Sequence, residues 1–177
     1  MGFRGRATLN RPFLLIRVVP CITVLCLAGC FYSFRGTSVP SHMKTIAIPV
    51  FDDQSGLGQA GLRDKFTRDL TDLFVSDNTL QVTDRKSADA LLEGSISTIQ
   101  DQAAVVGSGE EVKKRRITIT VHVSFHDLKL RKKVWEKDFS NWGDYESGGG
   151  LSQRDIGIDD ALQKISEDIL IATVSGW

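Results

Sequence analysis

Cys30 carries the most reactive side chain of this chain in its most telling position. It follows Leu27-Ala28-Gly29 directly, behind an apolar run from Val18 to Leu27 and a start bearing Arg4, Arg6, Arg11 and Arg17. A basic start, an apolar stretch and small residues before a cut are the parts of a secretory leader. A cysteine at the cut adds a nucleophilic thiol that a lipid-transfer enzyme can acylate. The expected chemistry is therefore a diacylglycerol and an N-acyl chain on Cys30, with no other cofactor. A spanning anchor is the alternative, but the run is about half of the roughly 20 residues a spanning helix requires.

Three other groupings invite chemistry. Gly56-Leu57-Gly58-Gln59-Ala60-Gly61 matches a dinucleotide-binding glycine pattern, with Asp84 at the spacing of a ribose-binding acid. The four residues Asp52 to Ser55 between strand and first glycine, and the lack of strand-helix alternation afterwards, favour a plain connecting loop. His122 and His126 fall on one face of a strand, but four residues at about 3.3 Å each put them roughly 13 Å apart, too far to share one metal ion. No serine stands in a nucleophile-elbow pattern and no carboxylate pair is brought together by spacing, so catalytic residues are not expected.

Charge supplies the third grouping. Lys113-Lys114-Arg115-Arg116 opens a strand, and Arg131-Lys132-Lys133 lies at the following turn. A solvated edge and turn is the ordinary reading of such runs. The functional one is recognition of phosphates, to which ammonium and guanidinium groups donate charge-assisted hydrogen bonds. The two runs could lie at opposite ends of one sheet.

The elements that must position these groups follow from periodicity. Residues 1–29 form the leader, 30–43 a tether that ends by docking, and 44–177 one domain, the leader's removal leaving about 148 residues, an ordinary domain size. Lys44 to Phe51 reads as a first strand, with Pro49 marking an edge or an end. Leu62, Phe66, Leu70, Leu73 and Phe74 recur at helical spacing, ending near Asp77-Asn78. Leu80-Gln81-Val82 is a short extended piece, and Ala88 to Ile99 a strand in which Gly94 marks a bulge or close contact. After a turn at Gly107-Ser108-Gly109, Ile117, Ile119, Val121, Val123 and Phe125 alternate with Arg116, Thr118, Thr120, His122, Ser124 and His126, the clearest strand of the chain. Lys133 to Trp142 reads as its hairpin partner and Gly143 to Gly150 as a loop. Ile158, Leu162, Ile165, Ile169 and Ala172 mark a second helix, interrupted early by Gly157. The expected fold is an α+β two-layer sandwich, a mainly antiparallel four-stranded sheet with two helices on one face.

The 22 Lys and Arg balance the 22 Asp and Glu, but the leader takes four arginines and no acid. The remaining domain is mildly acidic, which argues against general nucleic-acid binding. Cys21 and Cys26 leave with the leader and Cys30 is consumed by acylation, so the fold must hold without a disulfide or a thiolate metal site.

Cys30-Phe31-Tyr32-Ser33-Phe34-Arg35-Gly36-Thr37, Val39-Pro40 and Met43-Lys44-Thr45-Ile46-Ala47-Ile48 resemble the start of the mature LptE family. Leu62-Arg63, Ala88-Asp89-Ala90-Leu91-Leu92-Glu93-Gly94, the strand Thr118 to Phe125, Trp135 and the last helix to Trp177 continue the resemblance in order. The chain departs at Phe31, where the family usually has glycine. The resemblance implies an outer-membrane lipoprotein on the periplasmic face that plugs and helps assemble an LptD-type β-barrel, binds lipopolysaccharide and is not an enzyme. Phe31 also lacks the aspartate that typically retains lipoproteins in the inner membrane. On this reading Lys113, Lys114, Arg115, Arg116, Arg131, Lys132 and Lys133 are candidate contacts for lipid A phosphates or the barrel lumen. A pilotin or other secretion-channel accessory is the alternative.

Overall fold

The computed structural model describes Gly2 and residues 39–56, 61–106 and 112–175. The fold lies in the unit Thr37–Trp177. Cys30, its leader, most of the tether and the expected turn at 107–109 lie outside the described residues.

The elements are β1 (Thr45–Ala47), β2 (Asp52–Asp53), α1 (Leu62–Asp77), β3 (Gln81–Val82), β4 (Ala90–Val106), β5 (Val112–Asp127), β6 (Lys132–Glu146) and α2 (Gly150–Ser175). Strands β4, β5 and β6 form an antiparallel meander, as alternation and short connections predict. The sheet is larger and mixed, however, not a four-stranded antiparallel one. Its order is β3-β1-β4-β5-β6, with β2 also on β4, and β1 and β2 run parallel to β4. The expected first strand is broken around Pro49, which has no N–H to give to a ladder. Only β1 falls within it, pairing with β4 at Ala90 and Leu91, whereas β2 lies in the stretch read as connecting loop and pairs with β4 at Ser95 and Ile96. Helix α1 returns the chain so that β3 lies parallel to β1, a crossover connection.

Helix α1 forms where periodicity places it and ends on Asn78, a left-handed residue whose N–H donates to the Phe74 carbonyl at 3.0 Å. Leu62, Phe66, Leu70 and Phe74 join Ile158, Ala161, Leu162, Ile165 and Ile169 of α2 in one core with the inward residues of the sheet. Ile117, Ile119, Val121, Val123 and Phe125 are fully buried there, while their neighbours Arg116 to His126 face outward. Two glycines act by removing bulk. Gly157 does not interrupt α2: the helix begins seven residues earlier, and Gly157 packs on the Gly143 backbone so that α2 lies directly on β6. Gly94 is a close contact, since a Cβ there would strike the His122 carbonyl and come within 2.9 Å of the Phe51 ring. The register shifts of β4 lie further on, the first of them between Ile96 and Thr98.

Asp89, just before β4, ties the open end of the sheet together. Its Oδ2 accepts the Lys44 N–H (2.8 Å) and the Thr45 N–H (3.2 Å), its own N–H donates to Thr45 Oγ1 (2.9 Å), and Oδ1 meets Lys129 Nζ at 2.8 Å. The Lys129 ammonium and the Lys44 amide hold its carboxyl down to about 2 from an ordinary 3.8. A folded value below the unfolded one means stability that is present above about pH 4 and lost as pH falls towards 2. Asp89→Asn should cost about 2 kcal/mol at neutral pH and flatten the acid limb of the stability curve, as urea titrations at stepped pH would read. An unchanged acid limb refutes the assignment.

Candidate functional site

The exposed sheet surface and the two ends of β5 carry the groups singled out by charge. Alternation along β5 directs Arg116, Thr118, Thr120, His122, Ser124 and His126 to the side away from the helices. Register sets Gln100 and Gln102 of β4 on one flank and Trp142, Ser140, Asp138 and Glu136 of β6 on the other. The centre of this face is hydroxyl and amide, with Thr120 Oγ1 donating to Ser140 Oγ at 3.0 Å.

The basic run 113–116 divides by parity. Arg115 turns to the helix side, where its Nε donates to Asp101 Oδ1 (2.8 Å) and to the Tyr145 hydroxyl oxygen (3.0 Å). Tyr145 donates in turn to Asp101 Oδ2 at 2.7 Å, and Arg154 of α2 approaches the same oxygen at 3.4 Å. Burial alone would raise the Asp101 carboxyl, but the Tyr145 hydroxyl and the two guanidiniums together bring it below the usual range. Arg116 faces outward, bidentate on Asp144 at 2.7 and 3.0 Å and stacked 3.6 Å over the Trp142 ring. Lys164 of α2 approaches that ring at 4.7 Å. Lys113 and Lys114 are exposed, Lys114 at 3.5 Å from Glu146. Two of the four expected phosphate ligands are thus already held by short contacts within the chain, Lys114 has only the long contact to Glu146, and Lys113 has no ion-pair partner among the described residues.

The second run lies elsewhere. Arg131 ends the β5–β6 turn and Lys132 and Lys133 open β6, and eleven strand positions separate Arg116 from Asp127, about 36 Å. The runs do not converge on one ligand. Lys133 pairs with Glu136 at 2.7 Å, whereas Arg131 and Lys132 are exposed. Sequence reasoning missed the residues that complete each end: Asp101, Asp144 and Tyr145 at one, His42, Asp89 and Lys129 at the other. Counting outward from the turn would not have found Asp144, because it sets Gly143 opposite Arg116, and only the register shift between Phe125 and His126 brings Asp144 there.

His122 is held between Asp138 Oδ1 (2.7 Å) and Glu136 Oε1 (3.2 Å), while His126 meets Ser124 at 3.2 Å. Asp138, then Glu136, raises the His122 imidazole above its usual value. Among the described residues no group of three or more His, Cys, Asp or Glu is placed to hold a metal ion. Gly56 and Gly61 of the glycine pattern flank residues outside the described set. Asp84 lies beyond the far end of α1, a helix of about 24 Å, and accepts from Ser87 Oγ and the Lys86 N–H. It cannot serve a ribose held at the glycines. The groove between the helices, about 270 Å³, is acidic, and Lys65 within it is held by Asp69 (2.6 Å) and Asp159 (3.1 Å). It does not suit an anion.

Edge strand β6 is blunted at Trp142, whose N–H donates to Asn141 Oδ1 and whose carbonyl accepts from Lys164 Nζ, both at 3.0 Å. Among the described residues no helix is long and apolar enough to cross a membrane.

The same architecture occurs in solved proteins of distant sequence. A protein from Xanthomonas campestris superposes with a TM-score of 0.54 at 12% identity, covering 78% of this chain and 91% of its own. A hypothetical protein from Chlamydia trachomatis gives 0.53 at 10%, covering 72% and 94%, and rare lipoprotein B from Shewanella oneidensis 0.50 at 11%, covering 72% and 92%. At such identities these likenesses establish the fold. The LptE family model, described as lipopolysaccharide-assembly, matches residues 43–173. That span takes in α1, nearly all of α2, the Asp89 and Gly94 contacts and both ends of the long hairpin, and on it the chain belongs to the LptE family.

Proposed function

We propose that this chain is a non-enzymatic outer-membrane lipoprotein, held on the periplasmic face by acyl chains on Cys30, that plugs and helps assemble an LptD-type β-barrel and binds lipopolysaccharide during its insertion. The observation that carries the reading is the family match across residues 43–173. The surface is compatible with it. A barrel lumen is polar, and the outward sheet face offers Thr118, Thr120, Ser140 and Gln100, with Arg116 stacked over the Trp142 ring beside them. Purification of the chain from native membranes in mild detergent tests the proposal. A large β-barrel and bound lipopolysaccharide in the complex are expected; a secretin, or no barrel, overturns it.

The basic residues enter as lipid A phosphate or lumen contacts, and their engagement ranks them. Lys113 and Lys114 are exposed, and the Lys114–Glu146 pair, both partners more than half exposed, is weak. Lys113→Glu with Lys114→Glu should weaken lipopolysaccharide binding about tenfold or more with the thermal midpoint unchanged. Arg116→Glu should lower both, because it breaks the bidentate Asp144 pair. Unchanged affinity of the double lysine variant at matched salt removes these side chains from the site.

A further inference from the structure

The β5–β6 turn combines an exposed leucine with four cations beside the point where the tether meets the fold. Leu130 is 65% exposed, with Lys129 before it and Arg131, Lys132 and Lys133 after it. Lys129 and Lys133 are engaged with Asp89 and Glu136. Among the described residues, Arg131 and Lys132 have no ion-pair partner. The backbone sharpens the case. Arg131 has φ 51°, a left-handed conformation in which a hairpin ordinarily places glycine or asparagine. Asp127, 3% exposed, fixes this turn by accepting the Leu130 N–H at Oδ1 (2.8 Å). A buried carboxylate thus holds the turn at Leu130, beside an exposed arginine in a conformation that arginine does not favour.

The same residues bind the tether. Asp127 Oδ2 meets His42 Nε2 at 2.6 Å, Lys129 Nζ donates to the His42 carbonyl at 2.7 Å, and Met43 is buried. From Cys30 to Val39 is nine residues, which reach at most about 32 Å. The tether thus enters the fold beside this turn, whereas Lys113 to Arg116 lie at the other end of β5.

We propose that the β5–β6 turn is a membrane-docking element, with Leu130 entering the headgroup layer and Arg131 and Lys132 on the phosphates of anionic phospholipids in the leaflet that holds the anchor. The proposal rests on the acylated reading of Cys30. Acyl chains keep the turn at high local concentration over the bilayer, and each basic side chain near an anionic surface adds about fivefold in partitioning. Docking orients the domain, leaving the 113–116 end of the hairpin away from the lipid.

The test uses the processed, acylated protein, in which Cys30 is blocked and Leu130→Cys offers one thiol for an environment-sensitive fluorophore. It is reconstituted on vesicles of phosphatidylcholine alone or mixed with phosphatidylglycerol. Blue-shifted emission and at least fivefold weaker iodide quenching are expected on the anionic vesicles only. A label at Leu151→Cys, 77% exposed beyond the opposite end of β6, should remain quenched on both. Arg131→Glu with Lys132→Glu should restore full quenching at Leu130→Cys. Arg131→Gly should weaken protection without lowering the thermal midpoint. Equal quenching on both vesicles, or equal protection at Leu151→Cys, overturns the proposal, as does protection that requires an added barrel but not anionic lipid. Flotation separates the two readings. Failure to float on neutral vesicles refutes the anchor; flotation on anionic vesicles alone then supports docking by the turn, and flotation on neither refutes both.

Discussion

Gly94→Val is expected to leave the domain unable to fold stably. Gly94 pairs with Val123 in the middle of the β4–β5 ladder, and any Cβ at this position meets the His122 carbonyl oxygen first and the Phe51 ring next. A ring can turn; a carbonyl held in an antiparallel ladder cannot move without breaking the pairing that aligns the sheet. Phe51 has little freedom either, being fully buried and edge-on to Phe66 at 5.1 Å. Overpacking ordinarily costs about 1–3 kcal/mol, and a backbone collision should exceed that range, removing ~4 kcal/mol or more from a total that for most domains is about 5–15. Equilibrium unfolding in urea would read the loss. Gly94→Ala in a Phe51→Leu background separates the two obstacles, because the smaller side chain relieves the ring contact and not the carbonyl. Partial rescue is expected, and full rescue would assign the constraint to Phe51 alone.

The pairing of Asp89 and Gly94 explains why a short stretch of sequence carries so much of the fold. Asp89 gathers the amides of Lys44 and Thr45 and the Lys129 ammonium at the start of β4, and five residues later Gly94 lets Phe51 pass under the sheet. Both residues were visible as part of a motif. Their roles were not, because Asp89 acts on β1 and on Lys129, and Gly94 on Phe51 and the His122 carbonyl, all distant in the sequence.

Legibility followed burial. Ile117 to Phe125 alternate cleanly because one side of β5 is covered by both helices, and α1 was placed almost to the residue by its apolar stripe. The hairpin ends extend beyond the core, where Gln102, Lys113 and Lys114 have no apolar face to keep, so the strands are longer than alternation indicated. Strands β1, β2 and β3 are two or three residues each, less than two periods of a strand pattern, and parallel pairing leaves no mark on so short a run. Gly157 read as a helix breaker because propensity counts its missing side chain against it; its close approach to Gly143, where a Cβ would strike the Gly157 carbonyl, is what the small residues allow. The charged runs were legible as charge, but which cations are open was not. Arg115 and Arg116 find Asp101 and Asp144 only through strand register, and Lys129, outside the expected run, turns out to bridge the tether and the sheet.

Cys30→Ala should abolish acyl labelling completely under the proposed anchoring, in which this thiol carries the lipid. Its effect on assembly should be smaller than its effect on labelling. The contacts that organise the domain do not pass through the cysteine: His42, Met43 and Asp89 already fasten the end of the tether to the β5–β6 turn and to β4. An unlipidated domain should therefore retain its fold and its hairpin surfaces, and lose the local concentration that two-dimensional confinement provides. Metabolic labelling with a palmitate analogue measures the first effect; recovery of the barrel with tagged Cys30→Ala, expressed at native level and then in excess, measures the second. Poor recovery at native level that excess protein restores separates anchoring from plugging. Failure of excess protein to restore it would mean that the acyl chains take part in the barrel contact itself.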